Sequence, residues 1–247
     1  MNNLRKSILG VPLDAYRLHE IVARIEDDFG RSCPRTIFAV NPEKIMLAQK
    51  DRQLRAILKE GDFLIPDGAG IKLALRILYG RGASHFIRTT GIDLMQYLLE
   101  EAARKEFRVF FFGASPEVNI YVFEKIRHEH PNLKLVGSEH GYIPENQYGT
   151  LLEKINSLKV DILFVGLGSP KQEKWIGQHK NMLTTRICMG VGGSLDVLAG
   201  KVSRAPSWMR FFGLEWLFRL FREPSRLRRQ MALPRFVIKI LGARLNA

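Results

Sequence analysis

Short apolar runs alternate with longer amphipathic segments along most of this 247-residue chain. The apolar runs predict buried strands, and segments with apolar residues three and four positions apart predict helices. The predicted strands are 4–9, 36–40, 63–65, 107–112, 133–138, 162–165 and 186–189, and the predicted helices include 42–58, 70–78, 92–105, 117–130 and 147–158. Strands that alternate with helices indicate an α/β fold, with a mostly parallel sheet and helices on both faces.

The last fifth of the chain has a different pattern. The strand signal stops after Met189, so we place a domain boundary near Gly200, between a core over residues 1–199 and a C-terminal helical appendage over residues 200–247. Helically spaced apolar residues predict one apolar helix face in the appendage, although Pro224 must kink or split that helix. The apolar face comprises Leu214, Leu217, Phe218 and Phe221, and further large aromatics are Trp208, Phe211, Phe212 and Trp216.

Positive charge is concentrated in the same appendage. It contains 11 Lys and Arg residues and two acidic residues, so it carries +9 of the formal net charge of +13. Aromatic residues beside arginines are typical of a helix that lies in a membrane interface, where each basic residue near anionic lipid contributes on the order of 1 kcal/mol. Three alternatives are open: the apolar face packs on the core, it packs on a second copy of the chain, or the positive charge binds nucleic acid.

Ligands of such sheets bind beyond the carboxyl ends of the strands, so the loops that follow the strands are the candidate site. Several of these loops contain Gly or Pro and lead into helices, which favours a ligand that carries phosphate. The loops are Asn41-Pro-Glu43, Pro66-Asp67-Gly68, Gly113-Ala-Ser-Pro116, Gly141-Tyr142, Gly166-x-Gly168-Ser-Pro-Lys-Gln-Glu173 and Gly190-Val-Gly192-Gly193-Ser194.

The loop after the strand 162–165 is the most informative of these. Ser169 is predicted as a helix N-cap, Pro170 as the first helical residue, and Gln172 lies three residues after the cap. Free backbone N–H groups and the positive end of the helix dipole there suit a nucleotide diphosphate. Lys171 stands where the dinucleotide fingerprint has its third glycine, which disfavours an NAD-linked oxidoreductase. If the ligand is a nucleotide diphosphate that departs as a leaving group, Lys171 is a candidate for neutralising its negative charge.

Five polar or aromatic side chains each have a functional and a structural interpretation. Asp67 is either a general base at the cleft or a turn residue that caps the next helix. Asn41 either binds the ligand or caps the helix at Pro42. Arg88 either meets diphosphate charge or is an ordinary surface arginine. Gln172 either reaches the ligand or completes the cap. Tyr142 either stacks on a base or is a buried aromatic.

Several kinds of chemistry lack a signal in the sequence. It contains no Gly-x-Ser-x-Gly elbow, no Walker loop, no His-Glu-x-x-His motif and no Asp-x-Asp metal clamp. We therefore expect no metal and no other cofactor, and expect a diphosphate leaving group to be met by backbone N–H groups, helix ends, Lys and Arg. No window of 18 uninterrupted apolar residues predicts a membrane-spanning helix, and two distant cysteines favour a reducing, intracellular compartment.

Taken together, these residues resemble the WecG/TagA/CpsF family of glycosyltransferases (glycosyltransferase family 26). The resemblance covers essentially the whole chain in order. It is carried by the loops given above, by Arg88-x-x-Gly91-x-Asp93, Gly192-Gly193-x-x-Asp196, Arg204-Ala-Pro, Gly213-Leu-Glu-Trp216, Arg219, Glu223-Pro224 and Arg226. It implies a Rossmann-like core with a C-terminal helical appendage that docks on the membrane. It also implies inverting, metal-independent transfer of a sugar from a nucleotide donor, UDP in our expectation, to a polyprenyl-diphosphate-linked saccharide in envelope polysaccharide or exopolysaccharide synthesis.

The resemblance also implies roles for particular residues. Asp67 is similar to the catalytic base that deprotonates the acceptor hydroxyl. The donor-site residues would be Asn41, Arg88, Gly113, Tyr142, Gly166, Gly168, Lys171, Gln172, Gly192 and Gly193; the residues for the acceptor diphosphate and the membrane would be Arg219, Arg222, Arg226 and Arg229. Ala39 departs from the pattern, since relatives often carry threonine there, and it can mark a different donor sugar.

The expected partners follow from that resemblance and from the basic appendage. They are a nucleotide-sugar donor, a polyprenyl-diphosphate-linked acceptor and an anionic membrane surface, with no nucleic acid and with a homo-oligomer left open. The expected location is the cytoplasm, peripheral on the inner face of the bacterial cytoplasmic membrane.

Overall fold

The computed structural model describes residues 4–26, 33–86, 90–222, 227 and 231–245. Its main feature is a six-stranded, wholly parallel sheet in the order β4-β3-β8-β7-β5-β6. The strands are β3 (Arg35–Val40), β4 (Phe63–Pro66), β5 (Arg108–Gly113), β6 (Lys134–Glu139), β7 (Ile162–Gly166) and β8 (Ile187–Gly190). The predicted α/β class is confirmed, and each predicted strand of residues 36–189 lies in this sheet.

Helices cover both faces of the sheet. They are α1 (Leu18–Glu26), α2 (Pro42–Ala48), α3 (Arg52–Glu60), α4 (Ala69–Tyr79), α5 (Gly91–Arg104), α6 (Pro116–Glu129), α7 (Tyr148–Ser157), α8 (Lys171–His179), α9 (Ser194–Leu198), α10 (Ser207–Phe211), α11 (Glu215–Arg222) and α12 (Ala232–Leu245). Successive residues of a strand point to opposite faces, so Phe110 and Phe112 belong to one apolar core and Phe111 to the other. Because the sheet is buried on both faces, its strands read as nearly unbroken apolar runs.

The structure corrects the extent of one predicted helix and the sheet membership of one predicted strand. The predicted helix 42–58 is two helices, because Asp51 interrupts it and caps α3 by accepting a hydrogen bond from the backbone N–H of Leu54 at 3.0 Å. The first predicted strand, β1 (Arg5–Ile8), pairs outside the main sheet with β2 (Val11–Asp14), a strand that the pattern does not predict. The turn between them uses positive φ angles at Leu9 and Gly10.

The strand order determines where a site can form. The chain runs from β3 to β4 at one edge, crosses the sheet to β5 and β6 at the other edge, and then returns through β7 to β8 beside β3. The carboxyl ends of β4, β3, β8 and β7 therefore lie next to one another. Those of β5 and β6 lie farther along the sheet, beyond β7. A crevice beyond the carboxyl ends is expected where the direction of strand order reverses.

The C-terminal helices divide between core packing and exposure. Helix α12 packs against α2 and α4, and its Phe236 and Ile240 are buried in the core. Core packing therefore holds for α12, a different helix from the one whose apolar face was predicted around residues 214–221. In contrast, α10 and α11 expose large apolar side chains, among them Phe211 and Phe221. Within the residues described, no helix is both long enough and apolar enough to cross a membrane.

Candidate functional site

A cavity of about 340 Å³ lies at the carboxyl ends of β3, β4, β7 and β8. The loops after these four strands form most of its wall, and the C-terminal segment adds Gly213, Glu215, Trp216 and Leu233. Gly213 has a positive φ of 73°, and a Cβ atom there would lie 2.6 Å from the Cβ of Ala69. Glycine thus lets the C-terminal segment approach the loop that carries Asp67.

Asp67 lies at the cavity, directly after β4. Its backbone N–H donates to the carbonyl of Val40 at 2.9 Å, which holds it beside the end of β3. The N-cap position of α4 belongs to Gly68, which has a φ of 84° and no side-chain cap. The alternative in which Asp67 caps α4 is therefore wrong, and the half-buried Asp67 is positioned as a cavity residue.

Asn41 both caps a helix and lines the cavity. Its Oδ1 accepts from the backbone N–H of Lys44 at 2.8 Å, which is the capping interpretation. Asn41 also lines the cavity, so the capping hydrogen bond holds its side-chain amide at the cavity wall. A ligand role for it stays a prediction.

The glycine loop after β7 enters its helix later than predicted. Helix α8 begins at Lys171 with Pro170 in the N-cap position, so the prediction that Ser169 caps this helix is wrong. Ser169 lies one residue outside the cap, and its Oγ is buried without a hydrogen-bond partner among the described residues. Gly168 and Ser169 line the cavity, whereas Lys171 is exposed and lies outside its wall.

Gln172 lies at the cavity but makes its hydrogen bonds to the protein. It is 2% exposed; its Nε2 donates to Glu173 Oε1 at 2.8 Å, and its Oε1 accepts from the backbone N–H of Gly192 at 2.8 Å. Gly190 allows this arrangement, because a Cβ atom there would lie 2.7 Å from Gln172 Nε2. Gly192 and Gly193, which were predicted as donor-site residues, also line the cavity.

Three other predicted donor-site residues, Gly113, Tyr142 and Gly166, do not line this cavity. Gly113 and Gly166 pack against each other at the ends of β5 and β7, where a Cβ atom on Gly113 would lie 2.4 Å from the carbonyl oxygen of Gly166. Tyr142, beyond β6, is 75% exposed, so the interpretation as a buried aromatic is wrong. Gly113 and Tyr142 lie apart because β5 and β6 follow β7 along the sheet, whereas Gly166 ends β7 and packs beside the lining residue Gly192.

The predicted arginines are only partly covered by the structure. Arg88, Arg226 and Arg229 lie outside the described residues, and Arg219 is described only as a residue of α11. Arg222 ends α11, is exposed, and holds its guanidinium 5.7 Å from the ring centroid of Phe218.

Several cavity residues were not predicted. Lys44 is 5% exposed and Glu215 is 9% exposed, and both line the cavity. Thr90 also lines it and hydrogen-bonds to Asp93, which forms an ion pair with Arg204 at 2.6 Å. Burial alone would raise the pKa of Asp93, but the hydrogen bonds from Thr90 and Arg204 outweigh it and lower that pKa. The family-like spacing of Asp93 and Arg204 was the one available signal for this pair.

The described part of the cavity wall has more negative than positive side chains. Glu43, Asp67 and Glu215 are acidic, while Lys44 is the one basic side chain among the described lining residues and is paired with Glu173 at 2.6 Å. A diphosphate at this wall would require further cations. Among the described residues, no three or more His, Cys, Asp or Glu side chains cluster so that they could hold a metal ion.

This chain is similar to known proteins over most of its length. The family described as "Glycosyl transferase WecG/TagA/CpsF family" matches residues 6–247. The chain is 37% identical over 211 residues to a protein of Bacillus subtilis (strain 168), covering 85% of this chain and 80% of the relative. It is 33% identical over 245 residues to a protein of Staphylococcus aureus (strain MRSA252), covering 98% and 94%. Both relatives are named N-acetylglucosaminyldiphosphoundecaprenol N-acetyl-beta-D-mannosaminyltransferase.

Proposed function

Because this chain belongs to the WecG/TagA/CpsF family of glycosyltransferases, we propose that it transfers a sugar from a UDP-linked donor to a saccharide carried on a polyprenyl diphosphate. The names of the Bacillus and Staphylococcus relatives specify a diphosphoundecaprenol-linked N-acetylglucosamine acceptor and an N-acetylmannosaminyl group. A polyprenyl-linked N-acetylglucosamine is therefore the first acceptor to test. The observation that carries the proposal is the position of Asp67 in a cavity walled jointly by strand-end loops and the C-terminal segment.

In this proposal Asp67 is the general base. The acceptor hydroxyl oxygen attacks the anomeric carbon of the donor sugar, its proton passes to the Asp67 carboxylate, and the nucleoside diphosphate leaves from the opposite face. Attack on one face and departure from the other inverts the anomeric configuration. A positioned general base contributes roughly 10²- to 10⁴-fold to the rate.

The negative charge of the leaving group has to be met at a wall that is itself acidic. The start of α8, with its helix dipole and the buried Ser169 Oγ, supplies neutral donors there. We assign the neutralisation of the remaining negative charge to arginines. Arg88 would serve the leaving group, and Arg219, Arg226 and Arg229 would serve the acceptor diphosphate. Fork-shaped guanidinium groups suit phosphate oxygens, and this assignment makes the reaction independent of a metal.

The C-terminal helices are proposed to hold the enzyme at the membrane that carries its acceptor. Trp208, Phe211 and Phe212 are 58%, 85% and 69% exposed, and Val237 and Ile238 on α12 are also exposed. Apolar side chains of this size next to a strongly basic segment fit the interface of an anionic bilayer. The proposed location is the inner face of the bacterial cytoplasmic membrane, where cytoplasmic nucleotide sugars meet the lipid-linked acceptor.

A donor screen tests the proposal. The full-length protein is incubated with polyprenyl-diphosphate N-acetylglucosamine and a panel of UDP-sugars, with and without EDTA, and the lipid product is detected by mass. We expect one donor to add a single sugar mass and to release UDP at the same rate with EDTA present. If every donor in the panel leaves the acceptor mass unchanged, the proposed transfer is wrong.

A further inference from the structure

A continuous line of hydrogen bonds and one ion pair runs along the cavity wall from β3 to the loop after β8. Lys44 Nζ donates to the carbonyl of Ala39 at 2.7 Å and pairs with Glu173 Oε1 at 2.6 Å. The same Glu173 oxygen accepts from Gln172 Nε2, and Gln172 Oε1 accepts from the backbone N–H of Gly192, each at 2.8 Å. The line therefore connects three of the loops that wall the cavity.

The charged members of this line are removed from water. Lys44 is 5% exposed and Glu173 is fully buried, and Glu173 Oε2 has no hydrogen-bond partner among the described residues. A buried ion pair generally adds little net stability over neutral residues of the same shape, although removal of one partner alone is strongly destabilising. Stability by itself therefore does not account for a charged pair at this position.

The pair sets the direction of the Gln172 amide from one end, and the Gly192 N–H sets the same direction from the other. An amide group can rotate by half a turn and exchange its oxygen with its nitrogen, so its orientation depends on its neighbours. The ammonium of Lys44 can only donate, and the carboxylate of Glu173 can only accept. Glu173 must therefore receive the NH2 group of Gln172, which directs the Gln172 carbonyl oxygen to the N–H of Gly192.

We infer that Lys44 and Glu173 are positioning residues of the transfer site, which orient Gln172 and through it fix the Gly192 loop against the cavity. This inference rests on the proposed transferase function. It assigns Gln172 a role different from direct donor binding, since both ends of its amide are engaged within the protein. A loop displaced by about 1 Å can cost roughly 10²-fold in rate, so loss of this orientation lowers kcat.

The test uses the neutral double variant Lys44→Met/Glu173→Gln in the full-length protein. Methionine and glutamine keep the shapes of the two side chains, and no buried charge is left unpaired, so we expect a folded protein with nearly the wild-type Tm. The amide introduced by Glu173→Gln can present either an oxygen or a nitrogen to Gln172, so of the two groups that set its direction only the Gly192 N–H remains. We expect kcat to fall roughly 10- to 100-fold with a smaller change in KM.

A second readout does not depend on activity. The Gly192 N–H is protected from hydrogen exchange by its bond to Gln172, so exchange at this amide, followed by NMR, should become faster in the double variant. Lys174→Met is the matched control, because Lys174 is on the same helix and makes a partly exposed ion pair with Asp51 at 2.7 Å. We expect the control to leave kcat and Gly192 exchange unchanged.

Coupling to Gln172 decides between a positioning role and direct ligand contact. If Gln172 acts through this line, adding Gln172→Leu to the double variant lowers kcat no further. If Gln172→Leu lowers the kcat of the double variant by the same factor as it lowers the kcat of wild type, the inference is overturned. Wild-type kcat together with wild-type Gly192 exchange in the folded double variant would also overturn it. A wild-type protein that transfers no sugar would refute the proposed function instead; faster Gly192 exchange would then still support the orienting role, and unchanged exchange would overturn it.

Discussion

At the scale of single residues, the glycines of the strand-end loops perform two different tasks. Gly168, Gly192 and Gly193 line the cavity, where a missing side chain leaves room and backbone for a ligand. Gly113 and Gly166 instead let the ends of β5 and β7 approach each other, and Gly113 has a φ of 135°. A sequence pattern records that glycine is present but not which of these reasons applies.

This difference predicts the effect of alanine at Gly113. Gly113→Ala places a methyl group against the backbone of Gly166 at a positive φ, so we expect it to destabilise the fold by about 1–3 kcal/mol. Gly149→Ala is the matched control, since nothing lies within 4 Å of a Cβ atom there and the residue is in α7. Chemical denaturation should show unchanged or slightly raised stability for the control. Equal stability of the two variants would contradict the packing role of Gly113.

The residues that sequence could identify are those at the ends of predicted strands. Asp67, Asn41 and Gln172 were predicted from such positions, and all three line the cavity. Lys44 was not, because a lysine inside a helix carries no local signal, and Glu215 stood out only as part of the family-like run Gly213-Leu-Glu-Trp216. Their burial comes from tertiary contacts between segments far apart in the chain.

At the scale of elements, the start of the C-terminal segment is fastened to α5. Arg204 forms its 2.6 Å ion pair with Asp93, and the following Ala205 is 3% exposed. Asp93 also bonds to Thr90, the N-cap of α5 and a cavity residue. This contact places the segment that supplies Glu215 and Trp216 next to the site.

The lowered pKa of Asp93 gives this contact a pH dependence. A carboxyl group whose pKa is lower in the folded state stabilises the fold above its unfolded value of about 3.9, and this contribution is lost as the pH falls through the lowered folded value. Asp93 is 41% exposed, so solvent screening limits the effect to about 1 kcal/mol or less.

Asp93→Asn should therefore be less stable than wild type at pH 7, and the difference should shrink below about pH 4. Urea unfolding at several pH values measures it. Glu106→Gln serves as the control, because it removes a well-exposed ion pair with Lys134. A gap between wild type and Asp93→Asn that stays constant from about pH 7 to about pH 3 would contradict the ion-pair account.

At the scale of the whole molecule, the sequence predicts layers better than it predicts their arrangement. Alternating apolar runs predict a parallel sheet with helices on both faces, because this follows from local periodicity. The order β4-β3-β8-β7-β5-β6 does not, since it depends on which strands pair across the full chain. That order is the reason why four predicted loops meet at one cavity while the loops bearing Gly113 and Tyr142 lie farther along the edge.

The exposed aromatic and basic C-terminal surface predicts binding to anionic vesicles. Wild-type protein should float with them, less so at high salt, while Trp208→Ser/Phe211→Ser/Phe212→Ser should float weakly. The control Ile120→Ser/Tyr121→Ser removes two side chains of α6 that are 65% and 56% exposed, and should float like wild type. Undiminished flotation of the aromatic variant would contradict the membrane assignment. Retention on RNA or DNA would instead identify nucleic acid as the partner of this surface, and concentration-dependent self-association would identify a second copy of the chain.

The most direct test of the account is the sugar transfer rate of Asp67→Asn on the acceptor and donor that wild type uses. We expect product formation to fall by at least about 100-fold, because the general base is lost, while UDP binding changes by less than about twofold. Asp51→Asn is the control, since asparagine retains the cap of α3 away from the cavity and should preserve turnover. If Asp67→Asn forms the lipid-linked product at the wild-type rate, Asp67 is not the base and the proposed transfer site is wrong.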